Sequence, residues 1–230
     1  MTKKRIIVLS GAGISAESGL STFRDSGGLW ENYRIEDVAT PEAWQMNQDL
    51  VLDFYNMRRK QLKEVKPNKA HTFIADLEKN YDVTVITQNV DDLHERAGST
   101  NIIHLHGELL KVRSTGNENL IYDWEKDLVT GNLCPEGSQL RPHIVWFGEA
   151  VPMIYKAMDL MPSADIVIVI GTSLQVYPAA GLVNYARPGV PVYIVDPTSP
   201  PVHGLDNIHF IKKSATEGVE QIKKILNEGK

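Results

Sequence analysis

The chain has 230 residues, 42% apolar and 23% charged, which is typical of a globular protein with one large domain or one domain with a small insertion. Its formal net charge of -5 disfavours nonspecific binding to nucleic acid, and its single cysteine, Cys134, excludes an internal disulfide or a site of several cysteines. No apolar run approaches the roughly 18 residues of a membrane span, and the N-terminal run is too short for a signal peptide, so we expect a cytoplasmic protein without a membrane partner.

Four short runs rich in Val and Ile predict β-strands. These runs are Arg5–Ser10, Val83–Thr87, Asp165–Gly171 and Pro191–Asp196. Because they are apolar throughout rather than alternating, they indicate a parallel sheet that is covered on both faces.

Helical segments separate these runs. They are Asp49–Val65, Asn68–Asn80 with Asn68 as its cap, a segment around Asp159, and Ser214–Gly229 with a serine cap. This alternation predicts an α/β fold with a doubly wound, Rossmann-like parallel sheet.

Residues 111–142 depart from this pattern, because they are polar, rich in turn residues and weakly periodic. We therefore expect a single domain, residues 1–230, with a small inserted module. The large subdomain would comprise about residues 1–34, 68–108 and 143–230, and the small module about residues 35–67 and 109–142.

Small or polar residues follow each predicted strand. They are Gly11 to Gly13, Gln88 to Asp91, Gly171 to Ser173, and Asp196 to Thr198. Ligands of open α/β sheets bind beyond the carboxyl ends of the strands, so four such endings predict a nucleotide crevice.

The turn at Gly11 and Gly13 allows close approach of the backbone to a pyrophosphate. A hydride-transfer enzyme would next have a second strand and an acidic residue about 20 positions on. Here Ser18–Tyr33 has no strand pattern and is rich in Gly and Ser. It predicts a mobile loop carrying Phe23 and Arg24 that closes over a cofactor, with an ordinary surface loop as the alternative.

Five motifs occur in order along the chain: GAGISAESGLSTFR (residues 11–24), TQNVDDLHERAG (87–98), HLHGEL (104–109), RPHIVWFGE (141–149) and GTSLQVYPAA (171–180). Together they resemble the sirtuins, NAD-dependent protein lysine deacylases, over nearly the whole chain. The likeness is closest to bacterial members of the class III branch, which also removes acidic acyl groups such as succinyl and malonyl.

The resemblance implies NAD as the cofactor and a set of positions that contact it. These are Gly11, Ala12, Gly13, Ile14, Ser15, Glu17, Phe23, Arg24, Trp30, Gln88, Asn89, Val90, Asp91, His106, Gly171, Thr172, Ser173, Asp196 and Ala215. Asp196 stands where the family often has Asn, and its carboxylate can still accept hydrogen bonds from ribose hydroxyls. For Asp91 and Asp92, capping of a helix near Leu93 is the alternative.

The implied reaction transfers the acyl group from lysine to ADP-ribose and releases nicotinamide. His106 is expected to be the general base, because histidine titrates near neutral pH, and Asn89 to be the second catalytic residue. His104 would share a strand face with His106, so spacing alone does not choose between them, and a lone histidine can also be structural. The family pattern of histidine directly before Gly selects His106, and we expect Gly107 to leave room for substrate.

Acylated-lysine proteins are the implied partners. Tyr55 and Arg58 share one helix face and match the family's Tyr-x-x-Arg signature for succinyl- or malonyl-lysine, with a solvated basic face as the alternative. The segments around Val145–Glu149 and Ser173–Tyr177 would hold the peptide backbone by strand addition, or would be ordinary core and loop. The expected peptide contacts are Val145, Phe147, Gly148, Glu149 and Val176.

The chain departs from the sirtuins at their structural zinc, which two pairs of cysteines hold in most members. Only Cys134 is present, and Ser114 stands where the first cysteine is expected. We predict no metal in the small module, which would rely on packing around Tyr122 and Trp124.

Other classes of function fit parts of the pattern. A protein mono-ADP-ribosyltransferase would use the same cofactor pocket without needing acyl-lysine. An NAD sensor would need neither His106 nor the pair Tyr55 and Arg58, and a hydride-transfer enzyme would need the missing ribose-binding acid. The oligomeric state stays open.

Overall fold

The structure, a computed structural model, describes residues 3–20, 29–30, 33–198 and 205–228, with only the backbone at 29 and 30. Its strands are β1 (Arg5–Ser10), β2 (Leu29–Trp30), β3 (Tyr33–Arg34), β4 (Asp82–Thr87), β5 (Ile102–His104), β6 (Gly107–Ser114), β7 (Ile121–Asp123), β8 (Leu140–Ile144), β9 (Ile166–Ile170), β10 (Val192–Val195) and β11 (Ile208–Ile211). Its α-helices are α1 (Ala12–Ala16), α2 (Ile35–Val38), α3 (Pro41–Met46), α4 (Gln48–Glu64), α5 (Lys69–Leu77), α6 (Leu93–Ala97), α7 (Ile154–Leu160) and α8 (Ala215–Glu228). Short 3-10 turns lie at Met161–Ser163 and Ala179–Tyr185.

A six-stranded parallel sheet forms the centre of the fold, in the order β11-β10-β9-β1-β4-β5. This confirms the predicted α/β class and doubly wound sheet. The chain leaves β1 toward β4 on one side and later returns to β9 on the other, so the strand order reverses beside β1. Such a switch point opens a crevice at the carboxyl ends of the strands.

Both faces of this sheet are buried, which explains the unbroken apolar runs. In β1, Ile6 and Val8 belong to the core that α5 and α8 complete, whereas Ile7 and Leu9 belong to the opposite core with α7. The four predicted strands are present with nearly the expected bounds, and β5 and β11 extend the sheet at its two edges.

Besides the short antiparallel pair β2-β3, a three-stranded antiparallel sheet in the order β7-β6-β8 lies largely in the segment 111–142, which the sequence marks only as polar and turn-rich. It shares a third core with α4, which includes Phe54, Val112 and Leu140. Tyr122 and Trp124 pack against this core as partly buried side chains. No helix within the described ranges is both long and apolar enough to cross a membrane.

Helix α4 is also hydrogen-bonded to the loop that follows β7. The Asn56 side chain donates to the carbonyl of Leu128 at 2.9 Å and accepts from its N–H at 2.8 Å. Arg59 donates to the Asn56 oxygen at 2.7 Å and to the Leu109 carbonyl at 3.0 Å. A single buried amide thus satisfies both backbone groups of a buried loop residue and ties the loop to the helix.

Candidate functional site

A cavity of about 890 Å³ opens at the carboxyl edge of the parallel sheet and extends toward α4 and the small sheet. Its walls contain most of the residues expected at the site. They include Gly11, Ala12, Gly13, Ser15, Glu17, Tyr55, Arg58, Gln88, Asn89, Val90, Asp91, His106, Val145, Phe147, Gly148, Glu149, Gly171, Thr172, Ser173, Val176, Asp196 and Ala215. One cavity therefore joins the residues expected to hold a nucleotide to those expected to hold an acyl-lysine.

One of the expected residues lies away from the cavity, and three others are not described with their side chains. The Ile14 side chain is fully buried in the core below the sheet and is not part of the cavity wall. Phe23 and Arg24 lie outside the described residues, as does the side chain of Trp30. The proposed closing loop is therefore not described.

Glycines let the ends of β1 and β9 meet at the cavity floor. Gly11 donates to the Ile170 carbonyl at 3.1 Å, and Gly13 donates to the Gly171 carbonyl at 2.8 Å. A Cβ at Gly11 would lie 2.7 Å from Thr172, and one at Gly13 would lie 2.8 Å from Gly171. Side chains at these two positions would force the strand ends apart, so glycine is required for the close approach.

Three polar side chains form a buried group at the base of the cavity. Ser15 donates from its hydroxyl to Asp91 Oδ2 at 2.9 Å and accepts from Asn89 Nδ2 at 3.1 Å. Burial raises the pKa of Asp91, and hydrogen bonds from the Leu93 N–H and from Ser15 oppose this rise. Ser15 therefore fixes the positions of both the amide and the carboxylate.

The alternative role of Asp91 as a helix cap is also realised. Its Oδ1 accepts from the Leu93 N–H at 3.1 Å, at the start of α6, whereas the Asp92 carboxylate faces Arg96 at 3.5 Å. Asp91 thus caps α6 with one oxygen while it lines the cavity. The expected contact of Asp91 with the cofactor stays a prediction.

The two candidate histidines have different environments. His104 lies between the Asn89 carbonyl at 3.1 Å and Glu95 at 2.6 Å, and these contacts raise its pKa against the effect of burial. His106 lines the cavity, and its Nδ1 donates to the Gln88 carbonyl at 3.0 Å. This contact leaves Nε2 as the unprotonated nitrogen of the neutral ring, and burial lowers the pKa of His106. The geometry therefore favours His106 as a base.

Gly107 is required by the backbone where two strands meet. Its φ of +84° is in the left-handed region, and a Cβ there would lie 2.0 Å from the His143 carbonyl oxygen. Glycine is required because β6 and β8 approach closely at this point. This close approach is a reason for glycine that the sequence did not predict, and the expectation that Gly107 also leaves room for substrate stays a prediction.

Polar contacts organise the far end of the cavity, beyond β10. Asp196 Oδ1 accepts from the backbone N–H of Thr198 at 2.8 Å and also from its hydroxyl. The Glu17 carboxylate accepts from the Ser214 hydroxyl at 3.1 Å and from the Thr216 N–H at 2.9 Å. Glu17 therefore holds the first turn of α8 against α1, which places Ala215 in the cavity wall.

The side of the cavity nearest α4 carries the acyl-pocket candidates. Tyr55 and Arg58 are buried and line the cavity, so the alternative of a solvated basic face is wrong. Arg58 donates to Gln61 at 3.2 Å. Ala39, which sequence reasoning missed, lines the same region, and its carbonyl accepts from the Phe147 N–H at 3.0 Å. No sequence signal distinguishes this alanine from an ordinary core residue.

The segment after β8 already forms ion pairs and hydrogen bonds with other parts of the protein. Glu149 pairs with Arg141 at 2.6 Å and with Arg113 at 3.3 Å, although it was expected to contact the peptide. The N–H groups of Val145 and Phe147 already bond to the carbonyls of His106 and Ala39. An added peptide strand could therefore not use these two N–H groups without breaking the bonds they make.

Taken together, the fold and cavity define an α/β protein whose switch-point crevice suits an extended nucleotide and has His106 within the same walls. The sequence model described as "Sir2 family" matches residues 11–178. The chain belongs to the Sir2 family.

Relatives and a solved structure agree with this assignment. An "NAD-dependent protein deacylase" of Helicobacter pylori is 56% identical over 219 residues, which are 95% of this chain and 96% of that protein. A protein with the same description from Bacteroides thetaiotaomicron is 56% identical over 229 residues, 97% of this chain and 98% of that protein. A solved Sir2 homologue–NAD complex is 39% identical, with a TM-score of 0.85, over 99% of this chain and 91% of that chain.

Proposed function

We propose that this protein is an NAD-dependent protein lysine deacylase that transfers the acyl group to ADP-ribose and releases nicotinamide. One observation carries the proposal: the cavity that begins at the Gly11–Gly13 turn also contains His106 and the pair Tyr55 and Arg58. A nucleotide sensor would not require a base and an acyl-sized pocket in the same walls.

The residues present fit NAD. The turn from Gly11 to Gly13 lines the cavity at the start of α1, where a pyrophosphate would lie. Gln88, Asn89 and Asp91 would hold the nicotinamide ribose and carboxamide, and Asp196 the other ribose. Bound NAD supplies the ADP-ribose that accepts the acyl group and nicotinamide as the leaving group.

His106 acts as the base in this proposal. Its Nε2 would take a proton from a ribose hydroxyl, while the Gln88 carbonyl holds Nδ1–H and fixes the ring's orientation. Asn89, fixed by Ser15, offers a donor and an acceptor to the ribose or to a water molecule. The buried walls exclude bulk water, which favours acyl transfer to ribose over direct hydrolysis.

We further propose that the enzyme belongs to the branch that removes acidic acyl groups. Arg58 and Tyr55 present a cation and a hydroxyl in a buried pocket, and neither is needed to bind a neutral acetyl group. A desolvated arginine binds a carboxylate with much of its electrostatic attraction unscreened. Succinyl- and malonyl-lysine therefore suit this pocket better than acetyl-lysine does.

The direct test combines the pure protein with NAD and matched acetyl-lysine and succinyl-lysine peptides, with nicotinamide and both peptides followed by mass spectrometry. We expect NAD-dependent loss of the acyl group, faster for the succinyl peptide. Transfer of label from NAD to a protein with both peptides left intact would instead indicate mono-ADP-ribosyl transfer. Loss of the acyl group without NAD would contradict the proposal.

We also propose that the small module, about residues 35–67 and 109–142, is stable without zinc. Cys134 Sγ lies 3.3 Å from Ser114 Oγ, so a hydroxyl occupies the place beside the single thiol where a second sulfur would be needed. The contacts of Asn56 with Leu128 join the module's helix to its loop instead.

Chelation and the substitution Asn56→Ala should therefore affect stability differently. Removing the Asn56 amide leaves the buried N–H and C=O of Leu128 unsatisfied, and should lower the free energy of unfolding by about 3 kcal/mol. Lys60→Ala removes an exposed ion pair with Asp127 of the same loop and should change it by less than about 0.5 kcal/mol. Denaturant unfolding with and without EDTA measures both effects, and one zinc per chain, or a large loss of stability in EDTA, would contradict the proposal.

A further inference from the structure

A hydrogen bond beside the acyl pocket restricts the directions in which the Tyr55 hydroxyl can donate. Trp146 Nε1 lies 3.0 Å from the Tyr55 oxygen, and both side chains are almost completely buried. The indole nitrogen can only donate, so the Tyr55 oxygen accepts this bond. The Tyr55 proton must then point to another acceptor, and both residues line the cavity.

Trp146 is itself held by Arg141 and Glu149. The Arg141 guanidinium lies 3.3 Å from the centroid of the indole ring. The Trp146 N–H of the backbone donates to Glu149 at 2.8 Å, and Glu149 in turn binds Arg141 through both oxygens, at 2.6 and 3.1 Å. The planar Arg141 guanidinium stacks on the indole ring and also forms two hydrogen bonds to the Glu149 carboxylate. Together these contacts restrict the indole to one orientation.

Charge around this group also favours an acidic acyl chain. Arg113 and Arg141 share the single carboxylate of Glu149, so these three residues carry one net positive charge. Arg58 adds a second positive charge in the cavity wall. Both Arg141 and Arg58 act on the Tyr55 hydroxyl electrostatically, and they favour its ionised form against the burial that raises its pKa.

We infer that Trp146 is a positioning residue for acyl specificity: its indole N–H occupies the Tyr55 oxygen, Arg141 fixes the indole, and the Tyr55 O–H is thereby directed toward the carboxylate of an acidic acyl group. This inference rests on the proposed deacylase function. Tyr55 and Arg58 then do not select succinyl- over acetyl-lysine alone. Trp146, Arg141 and Glu149 contribute to the same selection.

The test uses Trp146→Phe, which keeps an aromatic ring for Arg141 and removes only the N–H donor and part of the ring. The ratio of kcat/KM for succinyl-lysine to that for acetyl-lysine peptides should fall about tenfold, mainly through KM, the effect expected for one lost orienting hydrogen bond. The matched control is Trp124→Phe, because Trp124 lies in the small module and its Nε1 donates to the Asp127 carbonyl. This control should leave the ratio within about twofold of the wild-type value.

A double-mutant cycle separates positioning from packing. In a Tyr55→Phe background no hydroxyl remains to be oriented, so Trp146→Phe should not lower the ratio further. Arg141→Lys keeps the charge but not the planar fork, and should lower the ratio by an intermediate amount. This second variant still tests the inference if thermal melting shows that Trp146→Phe does not fold.

The outcomes are distinguishable. Equal losses for both peptides in Trp146→Phe, or a further fall of the ratio in the Tyr55→Phe background, would overturn the positioning role while leaving the deacylase activity in place. A wild-type protein that removes neither acyl group in the presence of NAD would contradict the proposed function itself, and the inference with it.

Discussion

Replacing His106 with alanine should lower kcat/KM for deacylation about 1,000-fold, within the range observed when a general base is removed. The loss has a specific cause, because the Gln88 carbonyl fixes Nδ1–H and leaves Nε2 as the acceptor in the cavity. Initial rates with an acyl-lysine peptide and saturating NAD measure the effect. NAD binding, measured by calorimetry, should weaken much less, since His106 is only one of many residues in the cavity wall.

His104→Ala is the matched control, because it removes the same ring two residues earlier. His104 contacts Glu95 and the Asn89 carbonyl, so its loss disturbs the support of the site and not the proton transfer. We expect a rate loss of about tenfold or less, the effect of one ordinary hydrogen bond. Similar losses in both variants would contradict the assignment of the base to His106.

The pH profile supplies a second check on His106. Only its neutral form accepts a proton, so kcat/KM should be constant at high pH and fall as pH drops through the pKa of the free enzyme. Because burial lowers this pKa below the ordinary value of 6.5, the acidic limb should lie below pH 6.5. A limb above pH 6.5 would show that another group controls the reaction, or that His106 is less buried in solution.

The central sheet was predictable because its physical signals are local. From Ile6 to Ser10 the strand β1 is buried on both faces, so these residues had to be apolar or small, and the run Arg5–Ser10 is found with the predicted bounds. The edge strands β5 and β11 were missed for the opposite reason. In β11, His209 and Phe210 are exposed, and β5 has three residues, too few for a periodic pattern.

The small sheet and its anchor depend on contacts that sequence patterns do not contain. Asn56 and Leu128 are 72 positions apart, and an asparagine within a helix normally indicates a solvent-exposed position or a cap. Likewise the need for glycine at position 107 arises from the carbonyl of His143 on another strand. Both features result from packing between segments that are distant in sequence. Neither Asn56 nor Gly107 indicates by its residue type which residue it contacts.

The candidate site was predictable as a list of residues but not as an arrangement. The motifs placed Tyr55, Arg58 and Glu149 in the substrate region, and all three line the cavity. They did not reveal that Glu149 is occupied by Arg113 and Arg141, because an acidic residue after a strand looks the same whether it faces a ligand or an arginine. Only the three-dimensional contacts show which residues of the cavity wall bind one another.

Replacing Arg58 with methionine should lower kcat/KM for a succinyl-lysine peptide about 100-fold and affect the acetyl-lysine peptide far less. Methionine preserves much of the length and apolar packing of the side chain and removes its charge and donors. A buried arginine that lines the cavity can hold the distal carboxylate of a succinyl group, whereas the acetyl methyl group has no such partner. Steady-state kinetics with two peptides of the same sequence measure both values.

Lys60→Met provides the control for the charge itself, because it removes one positive charge from the same helix at a position 66% exposed to solvent. Solvent and salt screen that charge, so the preference for succinyl-lysine should persist in this variant. The preference should also weaken only modestly between low and moderate salt in the wild type, since a desolvated pair is screened less than a surface pair. If Arg58→Met lowered both activities equally, the role of Arg58 would be to support helix α4 against the cavity, and acyl selection would have to come from elsewhere in the walls.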